Sequence, residues 1–302
     1  MQPSPAASPP VAEAELAAAP RGRGTFLLAA RRSFARSPLL WVGGALVAAI
    51  GILALLAPVL APEGPTAANL VQILTPPGHG YLMGTDDLGR DVWARVVWGA
   101  QITIPAGIEA TALALVLGAP LGMAAGYFGG LTEEVIMRAT DVLLAFPGLV
   151  LALALAAFLG PGEGNAILAI GIVSAPAFVR VARSSVLPLR HREFVEAARS
   201  LGAGSGRILG RHVVPNAWGA VGVLAFLTIG GSILAETSLS FLGMGMQPPA
   251  PSWGAMVQEG ADYLAQAPWI SLYPGLAILV TVISFNLLGN GLRQALSPRR
   301  GG

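Results

Sequence analysis

Phe194-Val-Glu-Ala-Ala-Arg-Ser-Leu-Gly202, followed by Arg207 to Pro215, is a short arginine-rich stretch caught between long apolar runs. Between Val186 and Pro215 the chain places Arg190, Arg192, Glu193, Glu196, Arg199, Arg207 and Arg211, whereas the flanking runs are stable only in lipid. The pattern predicts two short helices around a glycine turn. Gly202 can take the left-handed conformation that ends a helix, and Gly204 and Gly206 extend the turn. Glu193 and Glu196 fall early in the first helix, where the positive end of its dipole favours carboxylates. Ala197 and Ala198 are small enough for a partner to approach closely, and Pro215 is expected to keep the second helix from running unbroken into the next span. A polar element fixed between membrane spans is a handle through which motion can pass.

Composition sets the class around this handle. Apolar residues make up 54% of the chain and charged residues 11%, against about 25% charged in an ordinary soluble domain. The chain is therefore read as an integral membrane protein. Cysteine is absent, which excludes disulfides, thiolate metal sites and a catalytic thiol. All 18 basic residues are arginines. Without lysine the phosphate-binding Gly-x-x-x-x-Gly-Lys-Ser/Thr loop cannot be built, so nucleotide-driven work must come from another polypeptide. Three histidines, His79, His191 and His212, and no Asp/Glu/His ligand cluster leave no metal centre and no nucleophile with its base.

Spanning the hydrocarbon layer takes about 20 mostly apolar residues. Six segments qualify: Leu39 to Leu60, Ile102 to Ala125, Val142 to Leu159, Ala166 to Val179, Ala217 to Ala235 and Leu272 to Leu292. Pro176 is expected to interrupt the fourth. With the N-terminus inside, sixteen arginines fall on the cytoplasmic side and only Arg90 and Arg95 outside. The expected organisation is an all-α, six-span core with both termini in the cytoplasm. A cytoplasmic tail (1–38) precedes an uncleaved anchor helix (39–60) and an external segment (61–101). The core (102–292) carries the cytoplasmic loop 186–215 and a second external segment, 237–271, and a cytoplasmic tail (293–302) ends the chain. Met1 to Pro20 lacks periodicity and reads as disordered. In the first external segment Thr85 or Asp86 is the candidate cap of a short helix ending near Trp98. In the second, a surface helix is expected around Gly254 to Ala265, and Trp253, Tyr263, Trp269 and Tyr273 fall where an interfacial aromatic belt would lie.

Five motifs stand in order along this frame: Gly84-Thr-x-x-x-Gly-Arg-Asp91, Gly126-Tyr-Phe-Gly-Gly130, Asp141-Val-Leu-Leu-Ala-Phe-Pro147, Glu196-Ala-Ala-x-x-x-Gly202 through Pro215, and Glu236-Thr-Ser-Leu-Ser-Phe-Leu-Gly243. Together they resemble the dipeptide/oligopeptide/nickel branch of binding-protein-dependent ABC importer permeases, specifically the second (C-type) permease subunit, from about Gly84 to Arg299. The resemblance implies a MetI-like type I permease core in the bacterial cytoplasmic (inner) membrane. It implies a homologous permease partner, two ABC ATPase subunits that bind ATP and Mg, an extracytoplasmic substrate-binding protein and a peptide substrate, with no nucleic acid among the partners. The chain itself would carry no catalytic residue and no cofactor. The Glu196 loop would dock into an ATPase as a coupling helix, with Glu193, Glu196, Ala197, Ala198, Gly202 and Pro215 in that role. His212 departs from the isoleucine common in the broad family, and Val214 from its leucine, which affects packing rather than docking.

Ionisable groups in lipid are the other candidates, because burying them without a role is costly. Glu109 either faces a central cavity and attracts a peptide ammonium group, or pairs with a polar group, or lies near the external interface. Glu236 has the same choice between pathway and helix-helix hydrogen bond. Asn286 and Asn290 lie four residues apart on one face, in the pathway or bonded across helices. Asp141 is expected to pair with Arg138. Asp86, Asp87, Arg90 and Asp91 form either a docking patch for the binding protein or a solvated, self-paired loop. The external acids suit a cationic or zwitterionic cargo, and oligopeptides fit better than nickel, since His79 is the one external histidine; a permease for nickel or another small solute is the alternative. An ion-coupled secondary transporter would need midplane coupling groups from paired repeats, and no repeat is visible.

Overall fold

The computed structural model describes residues 37–78 and 80–296. Most of the N-terminal tail, His79 and the residues after Leu296 lie outside them, together with the readings placed there. α1 (Pro38–Leu55) is followed by the one-turn α2 (Ala57–Leu60), and α3 covers Val92–Phe128. α4 (Gly130–Leu144) and α5 (Gly148–Leu159) meet at a bend of 91°, and α6 runs over Glu163–Val186. The arginine-rich stretch folds as an elbow: α7 (Glu193–Ser200), a turn, and α8 (Ser205–Ile208). A π turn at Leu209–Val213 leads into α9 (Val214–Phe241), and α10 (Trp253–Ala261) and α11 (Trp269–Leu296) complete the order. Among the described residues five helical stretches are long and apolar enough to cross a membrane, or six when α4 and α5 count as one broken span.

Several boundaries differ from expectation, each for a physical reason. The helix expected to end near Trp98 is the beginning of α3, so the second span starts at Val92 rather than Ile102. Its cap is Asp91, whose Oδ1 accepts from the Trp93 N–H at 3.0 Å. Thr85 and Asp86 are not caps: the Thr85 hydroxyl accepts from the Thr75 N–H at 2.8 Å, and Asp86 Oδ1 accepts from the Leu88 and Arg90 N–H groups, each at 2.9 Å. The third span breaks between Leu144 and Gly148, because Pro147 lacks a donor and pushes Phe146 away from helical geometry. Pro176 does not interrupt α6, since it is buried within the helix and packing carries the helix through it. Pro215 does not separate elbow from span either. The Val214 N–H reaches the Leu209 carbonyl through the π turn, and Pro215 then sits in the first turn of α9, where its missing N–H is unneeded. Ser205–Phe241 is thereby continuous.

The spans pack through small residues, as helices must where lipid is as apolar as their own side chains. Gly118, Gly122 and Gly126 recur every four residues on α3. A Cβ at these positions would run into the Ala175, Val179 and Arg183 carbonyls of α6. α1 and α11 hold each other reciprocally, Gly43 against the Leu288 backbone and Gly291 against that of Leu40. Between α3 and α9, Thr111 Oγ1 donates to Ser232 Oγ at 2.9 Å.

The end of the bundle remote from the elbow has its own apolar core of Val92, Val96, Ala100, Trp253, Met256 and Ile270. Trp253 is buried there, its indole N–H donating to the Val96 carbonyl at 2.8 Å, and the Trp269 indole donates to the Thr85 carbonyl at 3.0 Å. Tyr263 and Tyr273 pack against the same core. Trp253 is thus an internal pin, while Tyr263, Trp269 and Tyr273 are half-buried against the same core.

Candidate functional site

The elbow is built so that its apolar side is locked inward. Val195 is buried with Val186, Ile208, Val213, Ala217 and Phe178, a cluster continuous with Met123 and Tyr127 of α3. That anchoring fixes the opposite face. Glu193, Glu196 and Ala197 are exposed, while Ala198 is half-buried and packs against the cluster. Gly202, at φ +78°, ends α7: its N–H donates to the Arg199 carbonyl, and the Ala203 N–H to the Ala198 carbonyl, both at 3.0 Å. Phe194 and Leu201 are exposed apolar residues flanking Ala197, and Leu201 is 88% exposed. The spacing 194, 197, 201 puts the three on one helical face. The signal for this stripe in the sequence is the i, i+3, i+7 spacing of its apolar residues, which the neighbouring acids overshadow.

Next to the elbow, ion pairs tie α4 to α6. Arg183 bonds Glu133, and Arg180 Nη2 donates to Asp141 Oδ1 at 2.8 Å. The expected Asp141–Arg138 pair does not form. Asp141 faces α6, and Arg138 lies instead 3.7 Å from Glu134 on the exposed side.

At the other end the charges turn inward. Asp86 is fully buried and Arg95 is 1% exposed. Asp86 Oδ2 accepts from Arg90 Nε and from Arg95 Nη1, each at 2.6 Å. Glu259 Oε2 on α10 accepts from the same Arg95 Nη1 at 2.6 Å and from Arg90 Nη2 at 3.1 Å. This clasp joins the 61–91 segment, α3 and α10. The patch expected for docking is corrected accordingly: Asp86 and Arg90 are not presented to solvent, and Asp87 and Asp91 keep partial exposure. Burial, and next the neighbouring Asp86 carboxylate, raise the Asp87 pKa above its usual value, while Arg90 opposes the shift. Burial raises that of Asp91 too, against the hydrogen bonds from the Trp93 and Ala94 N–H groups. Asp86, Asp87 and Glu259 lie within metal-binding reach of one another, but two guanidinium groups already sit among them. Arg95 and Glu259 were missed in the sequence because 164 residues separate them.

The intramembrane candidates divide. Glu109 is exposed on a stripe of α3, with Pro105, Ala112 and Val116, that no other described residue covers. Glu236 is buried, and Ser240 one turn on donates to its Oε1 at 2.6 Å, so its bond lies within its own helix rather than between helices. Asn286 lies against Gly230 at the α9–α11 contact, and the Asn290 side chain donates to the Asn286 carbonyl at 2.9 Å.

This arrangement of a broken span, a glycine-packed bundle and a protruding elbow has known counterparts. Residues 118–302 match the family described as binding-protein-dependent transport system inner membrane component, and residues 25–77 match the N-terminal transmembrane domain of oligopeptide transport permease C. The chain belongs to this permease family. The permease is 40% identical to a dipeptide transport system permease protein of Alkalihalophilus pseudofirmus, over 87% of each chain. It is 44% identical to a glutathione transport system permease protein of Pectobacterium atrosepticum over 74% of each, and 40% identical to a probable D,D-dipeptide transport system permease protein of Escherichia coli over 88% of this chain and 89% of that one. Solved inward-facing structures of the methionine ABC transporter MetNI share the fold. One aligns with a TM-score of 0.53 at 18% identity, covering 67% of this chain and 97% of its own. The permease is thus a C-type ABC importer subunit with a MetI-like fold and a multi-pass protein of the bacterial inner membrane.

Proposed function

We propose that this permease is one of two transmembrane halves of an ATP-driven importer of dipeptides or oligopeptides, coupled to an ATPase subunit through the Glu193–Ile208 elbow. The observation that carries the coupling role is the locked geometry of α7. Val195 is held in the core while Glu193, Glu196 and the Phe194, Ala197, Leu201 stripe are offered outward. A rigid, outward-facing helix passes displacement into α6 and α9 instead of absorbing it. Orientation follows from the arginines: the elbow end bears Arg180 to Arg211 and is assigned to the cytoplasm, the clasp end to the outside. An extracytoplasmic binding protein delivers the peptide at the clasp end. Two ATPase subunits close on ATP and Mg, draw the elbows together and reorient the spans. The peptide assignment is supported by relatives whose names specify dipeptides, glutathione and D,D-dipeptides.

The test is reconstitution of the permease with its partner permease, ATPases and binding protein in proteoliposomes. Peptide-stimulated ATP hydrolysis and uptake are expected. An Ala197→Cys elbow is expected to crosslink to the ATPase in that complex. Uptake that persists without ATP, or crosslinks that never reach the ATPase, would refute the coupling.

A further inference from the structure

The motif Asp141-Val-Leu-Leu-Ala-Phe-Pro147 coincides with the break between α4 and α5. α5 has 12 residues, about 18 Å of helix, well short of the roughly 30 Å hydrocarbon layer. Its first residue, Gly148, lies against Val173, a Cβ there being 3.5 Å from Val173 Cγ1. Val173 is ten residues into the 24-residue α6, so the break falls about 15 Å along that span, near its middle. At this depth residues 145–150 are all exposed, with Phe146 55% exposed. Among the described residues the N–H groups of Phe146, Gly148, Leu149 and Val150 have no backbone partner, and no side chain caps α5. Lipid cannot satisfy such groups; irregular backbone at membrane depth persists only against protein or water. A second observation selects water. The Arg180–Asp141 pair begins one turn before the break, and its side chains are 54% and 57% exposed, a degree of exposure that hydrocarbon does not tolerate for charges.

We infer that the break at Ala145–Pro147 lines the solute passage near the bilayer midplane and that Phe146 is its apolar constriction. This rests on the permease reading above. The aqueous face runs from the elbow end past Arg180 and Asp141 to the break, where the exposed Phe146 precedes the wholly apolar α5. A narrow apolar ring at such a junction closes a pore by excluding water.

The chain contains no cysteine, so single thiols can be placed in the complete complex and labelling read on this subunit by mass spectrometry. A charged methanethiosulfonate reacts with the thiolate, which forms only where water reaches. Phe146→Cys and Gly148→Cys are expected to react at least about tenfold faster than Ala49→Cys on the exposed side of the apolar α1, and at a rate that differs between nucleotide-free and vanadate-trapped complex. In the same vesicles Phe146→Ala is expected to raise ATP-independent efflux of a labelled dipeptide several-fold, and Phe146→Leu to restore closure. Labelling of Phe146→Cys only by a membrane-partitioning maleimide, or unchanged efflux in Phe146→Ala, overturns the inference. Wild-type uptake measured alongside separates the two failures: uptake with an unreactive Phe146→Cys removes the constriction and leaves the permease function standing.

Discussion

The two polar ends of this bundle are built on opposite plans. The elbow points its apolar residue, Val195, inward and leaves Glu193 and Glu196 exposed, whereas the clasp buries Asp86 and Arg95 and closes them on Arg90 and Glu259. Both are short polar insertions between apolar helices, and composition alone does not separate them. The difference lies in what each charge touches. Exposed carboxylates with no ion pair among the described residues leave their fields available to a partner, while charges that satisfy one another hold elements together and attract nothing further. On the proposed coupling role one end is an interface and the other is framework, and variants of each should fail in different ways.

The sharpest break comes from Arg95→Met, which strips the more deeply buried of the two cations that Asp86 and Glu259 share. Removing one member of a buried ion network costs about 3–5 kcal/mol, because the remaining charges stay buried. The thermal midpoint of the purified complex should fall, and the 61–91 segment should become protease-sensitive, while elbow crosslinking in folded complexes is unchanged. Combining Arg95→Met with Glu259→Gln should recover part of the loss, since the two positions couple. Normal stability of Arg95→Met would mean that the clasp is not framework.

Gly202→Pro acts at the opposite end. Proline fixes φ near −65° where the turn needs +78°, and it removes the N–H that bonds the Arg199 carbonyl. The expected cost is about 3 kcal/mol, confined to the elbow. Uptake and peptide-stimulated hydrolysis should be lost with the clasp end intact by proteolysis. A variant that transports normally would remove the elbow from the coupling path.

Glu196→Lys should separate stability from function more cleanly. Reversing one charge in the first turn of α7 costs only about 0.3–1 kcal/mol through the helix dipole. The variant should insert and assemble, yet transport should drop steeply while the thermal midpoint barely moves. If both readouts fall together, Glu196 contributes to the fold and the contrast between the two ends fails.

Legibility in the sequence followed the same division. The elbow was readable because its signals are local: acids in a first turn, Gly202 seven residues after Val195, and apolar runs on both sides. Six spans are readable from hydropathy, but the effect of a proline is not local. Pro176 and Pro215 leave their helices continuous, since packing and a π turn absorb them. Pro147, inside an apolar run, does break a span, with a bend of 91°. The clasp was illegible because Arg95 and Glu259 meet only when α3 and α10 are packed, and the cap at Asp91 was hidden by the equally plausible Thr85 and Asp86 beside it.

The smallest effect tests the boundary between the two plans. Asp87 stands at the edge of the clasp, 3.6 Å from Arg90 and partly exposed. Burial and the Asp86 carboxylate raise its pKa in the folded protein above 3.8, the value of the unfolded chain. The neutral form therefore favours folding. Its contribution is complete below the ordinary carboxylate pKa and is lost as pH rises through the raised value, so at neutral pH the ionised group works slightly against the fold. Asp87→Asn keeps the group neutral at every pH. It should raise the thermal midpoint slightly at about pH 7, by the equivalent of no more than about 0.5 kcal/mol after solvent screening, with the gain vanishing toward pH 4. A loss at pH 7 would show that attraction to Arg90 outweighs burial, and would move Asp87 inside the framework rather than onto the surface the clasp leaves open.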